Sequence, residues 1–335
     1  MSMSTYGDIS PRTAAFAAKM LLEVGQHLMV LERFGQVDPQ GKNKTKTRKW
    51  RRYESLPRAV APLAEGITPA GQKISYTDIE ATLEQYGDFV MITDVIEDTH
   101  EDPVLQEMTK RCAEQMAETV EFIRFNVLKG GSNVFYAGAV TARASIVGTI
   151  SRGDVRKVER QFNKYKGRPI TRIVSATAKI ATSPIAPSFI ALAHTDCAAD
   201  IRGCTGFIAA ENYSDSTAAF DGEIGKVENV RFICTGLFEP WLVAGGSTTD
   251  YLTNGSPGSG KADVYPILFL AENAYGIVPL QGANAVTPSV VNPKPTNGDW
   301  LGQRGAVSWK TYQATAILNQ LWIARLEIAV TSNPT

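Results

Sequence analysis

The three histidines, His27, His100 and His194, are the side chains best suited to moving a proton near neutral pH, and they lie far apart in the chain. His194 stands two positions before Asp196, an arrangement that could orient an imidazole for catalysis or hold a metal. No HxxxH or HxH pair accompanies it, so a structural role is expected. Cys112, Cys197, Cys204 and Cys234 show no CxxC spacing and are read as small hydrophobes in a reducing compartment. The acidic group Asp94, Glu97, Asp98, Glu101 and Asp102 lacks the alternate-residue spacing and central glycine of a calcium loop. Helix capping and a solvated or paired face account for it better. Neither GxxxxGK[ST] nor GxSxG occurs. No catalytic residue, cofactor or metal ligand is therefore expected.

The strongest chemical signal is a basic run, Lys42, Lys44, Lys46, Arg48, Lys49, Arg51 and Arg52, interleaved with Trp50 and Tyr53. Such a strand can grip phosphates and stack bases, stay solvated, or dock on acid elsewhere. The charge distribution favours the third. Residues 41–60 hold eight basic side chains against one acid, and residues 78–121 hold thirteen acids against two basic side chains. Over the whole chain 34 Lys and Arg balance 34 Asp and Glu, unlike a dedicated nucleic-acid binder, whose affinity depends on neutralising phosphates.

The elements that must carry these charges follow from periodicity. At 335 residues the chain exceeds what one hydrophobic core usually serves, so two lobes or more are expected. Ser10-Pro11 opens a helix whose apolar stripe runs to about Phe34. Residues 41–90 alternate at period two on either side of a Pro/Gly-rich middle, a long two-stranded excursion too poor in apolar residues to stand alone. Asp102-Pro103 and Gly130-Gly131 bracket a helix over 103–129, about 40 Å long at ~1.5 Å per residue. Leu105, Met108, Cys112, Met116, Val120, Ile123 and Val127 form its expected buried stripe, with Glu107, Glu114, Glu118 and Glu121 on the opposite face. A shorter helix is expected over 152–166, short β-type runs from Pro169 to about 240 with a helical turn near Asp196–Ile201, and an apolar strand over 264–271. Residues 248–260 and 292–299 read as loops, and two strands, about 305–317 and 321–330, close the chain. There is no run of eighteen apolar residues and no basic region followed by an apolar stretch at the N-terminus, so neither a membrane span nor a secretory signal is expected, and folding in a cytoplasm follows.

Six segments carry a family resemblance: WRRYESLPRAVAPLAEGITPAGQKISYTDIEATLEQYGDFVMITDV (50–95), VLKGGSNVFYAG (127–138), AHTDCAADIRG (193–203), GEIGKVENVRFI (222–233), ENAYGIVPLQG (272–282) and SWKTYQATAILNQLWIARLE (308–327). In order and spacing the chain resembles the major capsid proteins of tailed double-stranded DNA bacteriophages, the podovirus group typified by coliphage N-four. The likeness runs from about 34 to 330, is specific in the 50–95 block and is weaker between 140 and 190.

The resemblance implies an α+β protein of the Hong Kong 97 (Johnson) capsid fold. It implies an N-terminal arm over 1–40, an extended E-loop over 41–90, a peripheral domain over 91–169 and 300–335 with a spine helix at 103–129, and an axial domain over 170–299. It implies hexamers and pentamers of the chain itself, closed into an icosahedral shell around double-stranded DNA without sequence-specific binding. Scaffolding, portal and decoration proteins are the further partners it suggests, with the virion as destination and the host cytoplasm as place of assembly. Because the arm helix starts near residue 10, scaffolding is expected as a separate protein. On this basis the basic strand is expected to meet the acidic helix face, or the acidic 78–102 stretch, of an adjacent subunit. Two alternatives stand beside this reading: an encapsulin-like cellular compartment of the same fold, and a nucleic-acid-binding protein that uses the basic arm.

Overall fold

A computed structural model describes residues 29–41, 43–60, 62, 65–66, 68, 71–99, 104–170, 187–213, 220–248, 250–253, 260–280, 286–291, 293, 295 and 300–332. The expected arm helix, up to residue 28, lies outside the described residues, as do the expected helix start at Asp102-Pro103 and the side chain of Leu105.

A 3-10 turn at Leu31–Arg33 leads into strand β1 (Gln36–Val37). Strands β2 (Thr47–Tyr53) and β3 (Tyr76–Thr82) form a separate antiparallel ribbon, and β4 (Glu84–Thr93) follows. Helices α1 (Asp94–Thr99) and α2 (Val104–Lys129) come next, then β5 (Val134–Tyr136) and α3 (Arg152–Lys164). After them come β6 (Phe189–His194), α4 (Ala198–Arg202), β7 (Phe207–Ala209), β8 (Glu223–Val227) and β9 (Val230–Thr235). The chain closes with β10 (Tyr265–Leu270), β11 (Tyr275–Pro279), β12 (Val286–Val291), β13 (Arg304–Ile317) and β14 (Ile323–Ile328). No helix among the described residues is long and apolar enough to cross a membrane.

One sheet has seven strands in the order β5-β14-β10-β6-β9-β8-β7. Its central strands β6, β10 and β14 are almost entirely buried, as expected of strands covered on both faces. Phe189, Ala191, Ile267, Phe269 and Leu326 meet Val155, Val158 and Phe162 of α3 on one face. Ile190, Leu192, Leu268 and Leu270 meet Phe125 and Leu128 of α2 and Leu31 and Phe34 on the other. Each of the Val, Ile, Leu and Phe side chains among these contributes about 1.5–3 kcal/mol. Ser151 caps α3 by accepting the Asp154 N–H, which leaves Asp154 in the first turn to complement the helix dipole.

The second sheet runs β1-β11-β13-β12, with β4 on the other side of β13. The β4–β13 ladder extends from Glu84 opposite Gln313 to Thr93 opposite Arg304. Helix α2 packs on this sheet through Cys112, Met116 and Val120, against Val307 and Trp309.

One expectation is corrected here. The buried side of α2 does not follow Ile123 and Val127, since Val127 is exposed; it passes through Ala113, Ala117, Glu121, Arg124, Phe125 and Leu128. The helix has different partners along its length, the second sheet first and the arm root with the first sheet later, so its contact line drifts around the axis. β11 and β12 join β13 in one sheet, whereas β5 and β14 join the strands of the middle of the chain.

The ribbon is anchored within its own chain. Trp50, Ile79, Ala81 and Leu83 pack on Val278, Ala314 and Ala316. Gly276 permits this, because a Cβ there would lie 2.7 Å from Cζ2 of Trp50.

Candidate assembly surfaces

The basic strand divides into two parts. The antiparallel register sets Arg51 opposite Asp78 and Lys49 opposite Glu80. Arg51 makes a two-pronged pair with Asp78 at 2.8 and 3.0 Å and covers the ring of Tyr76, while Lys49 pairs with Glu80. Asp78 is held below its usual range by hydrogen bonding to Arg51, and Lys49 is raised by its bond to Glu80. Arg48 grips Asp38 at 2.7 and 2.6 Å, and Arg52 donates to the Leu318 carbonyl at 3.2 Å. Lys44 and Lys46 are exposed and form no ion pair among the described residues; Lys42 lies outside the described residues. The acids at 78 and 80 thus meet the basic strand within one ribbon, because cross-strand neighbours are already in reach.

The acidic face of α2 is likewise only partly free. Glu107 pairs with Lys110 at 2.6 Å and Glu114 with Arg111 at 2.7 Å, each one turn away, and the bond to Lys110 lowers the Glu107 pKa. Glu118 is exposed without an ion pair among the described residues. Glu121 does not belong to this face: it is 0% exposed. Its Oε1 accepts the N–H groups of Val30 (3.1 Å) and Leu31 (2.8 Å), so it acts as a buried clasp for the arm root. Burial pushes its pKa up to about 7, against the lowering effect of those N–H groups and of Arg124. A helical wheel shows only which face a residue occupies; whether a second element covers that face is a tertiary fact.

Nδ1 of His194 accepts the Asp196 N–H at 3.1 Å, and the Tyr265 hydroxyl donates to Asp196 Oδ2 at 2.8 Å. No group of three metal-capable side chains occurs among the described residues. Cys112, Cys197 and Cys204 are buried, Cys234 is half-buried, and all are free thiols.

Two features were missed in the sequence. Glu327 lies fully buried between Arg143 and Arg325, an ion cluster inside an apolar strand. Phe89 and Met91 of β4 are 57% and 64% exposed on the sheet face turned away from α2. The second was legible: Phe89-Val90-Met91-Ile92 is apolar at both parities, and one sheet face cannot bury both.

The surfaces are thus a projecting charged ribbon, an arm clasped at its root and an apolar sheet face. The phage capsid protein family matches residues 76–326, three quarters of the chain. The chain belongs to the phage capsid protein family. A curated relative of this capsid protein, the major capsid protein of Pseudomonas phage KPP21, is 24% identical over 275 residues, 74% of this chain and 67% of that protein. The capsid of Ralstonia phage GP4 superposes with a TM-score of 0.64 at 11% identity, covering 90% of this chain and 88% of that one. The SrpI encapsulin of Synechococcus elongatus PCC 7942 gives 0.54 at 14% identity, covering 100% and 95%. The capsid protein therefore has the Hong Kong 97 fold, which phage capsids and encapsulins share, and the family match decides for the phage side.

Proposed function

We propose that this capsid protein is the major shell subunit of a tailed double-stranded DNA phage, repeated as hexamers and pentamers in a closed icosahedral container. The observation that carries this is the family match over residues 76–326. The ribbon supports it: beyond its anchored root, Tyr53, Leu56, Val60, Ile74 and Tyr76 are exposed, more apolar surface than so thin an element needs if it stays in water. In this reading residues 41–90 are the E-loop and α2 is the spine helix. The sheet carrying α2 forms the peripheral wall, and the seven-stranded sheet forms the axial domain. The subunit works without catalysis or cofactor, encloses DNA without reading its sequence, assembles in the host cytoplasm, and meets scaffolding, portal and decoration proteins. Neutralisation of Arg48, Lys49 and Arg51 by carboxylates of their own chain argues against a basic arm devoted to phosphate. Purified protein, with scaffolding supplied where needed, should sediment as particles and show closed shells in negative stain. A stable monomer under all such conditions would overturn the reading.

A further inference from the structure

The ribbon root holds an open cleft of about 470 Å³, walled by Gln40, Lys44, Lys46, Leu83, Leu280 and Tyr312. No acidic side chain lines it among the described residues. Lys44 and Lys46 bring positive charge to it, and neither forms an ion pair among the described residues, in contrast to Arg48, Lys49 and Arg51 further along the chain in β2. Gln40 is only 3% exposed, and its Nε2 donates to the Thr45 carbonyl at 2.8 Å, which fixes the turn between the two lysines.

The lining specifies the occupant. It must bring negative charge for the lysines and an apolar body for Leu83, Leu280 and Tyr312. A phosphodiester backbone brings the first and lacks the second, whereas an acidic polypeptide with exposed apolar side chains brings both. Helix α1 has this composition: Val95 and Ile96, 61% and 41% exposed, are flanked by Asp94, Glu97 and Asp98.

Helix α1 cannot reach the cleft of its own chain. Gln85, at the start of β4, lines the cleft, and α1 follows Thr93 at the other end of that strand. Eight residues at ~3.3 Å each put about 26 Å between them, and the β4–β13 ladder holds that span straight. We propose that α1 of one copy seats in the ribbon-root cleft of the next, so that subunits join head to tail. Two different surfaces of one chain then meet, and such a contact repeated by a fixed rotation closes a ring. The proposal rests on the shell reading above and names one contact that the reading leaves open.

The test joins the two surfaces covalently. In assembled particles of the Lys46→Cys/Val95→Cys variant, a short bismaleimide should give a ladder of dimers and higher multimers on a denaturing gel. Lys46→Cys alone and Val95→Cys alone should give none. Particles that form normally without a ladder, or ladders equally strong in the single variants, overturn the contact and leave the shell reading intact. If the wild-type chain forms no particles under any condition, the shell reading falls and the contact falls with it. If the cysteine pair itself blocks assembly, charge exchange decides. Lys44→Glu/Lys46→Glu should cut particle yield at least tenfold, and adding Glu97→Lys/Asp98→Lys to the same chain should restore most of it. Failure to restore overturns the contact. So does a Lys44→Glu/Lys46→Glu variant that assembles at parental yield and only retains less DNA.

Discussion

Glu121 Oε1 accepts the Leu31 N–H at 2.8 Å across 90 residues of sequence, and Leu31 in turn accepts the Tyr275 hydroxyl through its carbonyl. One turn of arm is thereby held between α2 and β11, with the side chains of Val30, Leu31 and Phe34 buried around it. Glu121→Ala removes the acceptor for both Val30 and Leu31. A buried donor left unsatisfied costs about 1–3 kcal/mol, so the loss should be at least that in urea unfolding of the unassembled subunit. The amides of residues 30 and 31 should exchange faster with solvent. Parental exchange at both amides would show that the clasp holds nothing.

The same carboxyl gives stability a pH dependence of definite sign. In the unfolded chain it releases its proton near pH 4.5, and in the folded chain near pH 7. Between those values the folded state holds the extra proton, so stability falls as pH rises from about 4.5 to about 7 and levels off above, by about 1.4 kcal/mol per unit of difference. Urea midpoints of the parent should fall more across this window than those of Glu121→Gln, which has no such proton to lose. Parallel curves would count against a protonated Glu121.

Glu327 concentrates three cations in a small volume. Arg143 holds it with two bonds of 2.7 Å, and Arg325 donates to it at 2.9 Å. Arg325 also donates to the carbonyls of Lys129 and Gly131, closing the C-terminal end of α2, and Lys129 and Arg143 lie over the Trp241 ring. Burial lowers the pKa of both Arg325 and Lys129. Glu327→Ala would leave these cations uncompensated and should cost about 3–5 kcal/mol. Replacing both partners, Arg325→Met/Glu327→Leu, should cost less than that single change. Thermal unfolding compares the two; a double variant as damaged as the single would place the value of Arg325 in capping α2 instead.

The ribbon should behave as two segments. Its root has Trp50 on Gly276 and the Leu83 N–H donating to the Lys46 carbonyl at 2.9 Å. Beyond Glu54, whose N–H donates to the Ser75 carbonyl, no ladder continues among the described residues. In unassembled protein, amides of 47–53 should be protected and those of 54–60 should exchange freely, whereas assembled shells should protect both. Trp50→Ala, which removes a half-buried anchor, should cost roughly 3 kcal/mol, the low end for losing a large aromatic, and should abolish protection of the root. Equal protection of 54–60 in both states would remove the case for a neighbour covering it.

Period, punctuation and charge count are local properties, and the sequence by itself determined what depends on them. The long helix ends where Gly130-Gly131 follow it, Ser151 caps the next helix, the apolar run at 264–271 is a buried strand, and the residues flanking the Pro/Gly-rich middle pair as a ribbon. The absence of any motif with catalytic spacing pointed to a structural protein, and the six matching segments pointed to the capsid family that residues 76–326 confirm. Only the tertiary structure decided which charges remain free. Glu118 and Glu121 are three residues apart on one helix; one faces solvent and the other accepts backbone N–H groups from the arm root. Lys46 and Lys49 are three residues apart on one segment; one has Glu80 opposite it and the other lines an open cleft. The reason is physical: a charged side chain's state depends on what lies within about 4 Å of it, and in a folded chain that neighbour comes from a segment tens or hundreds of residues away.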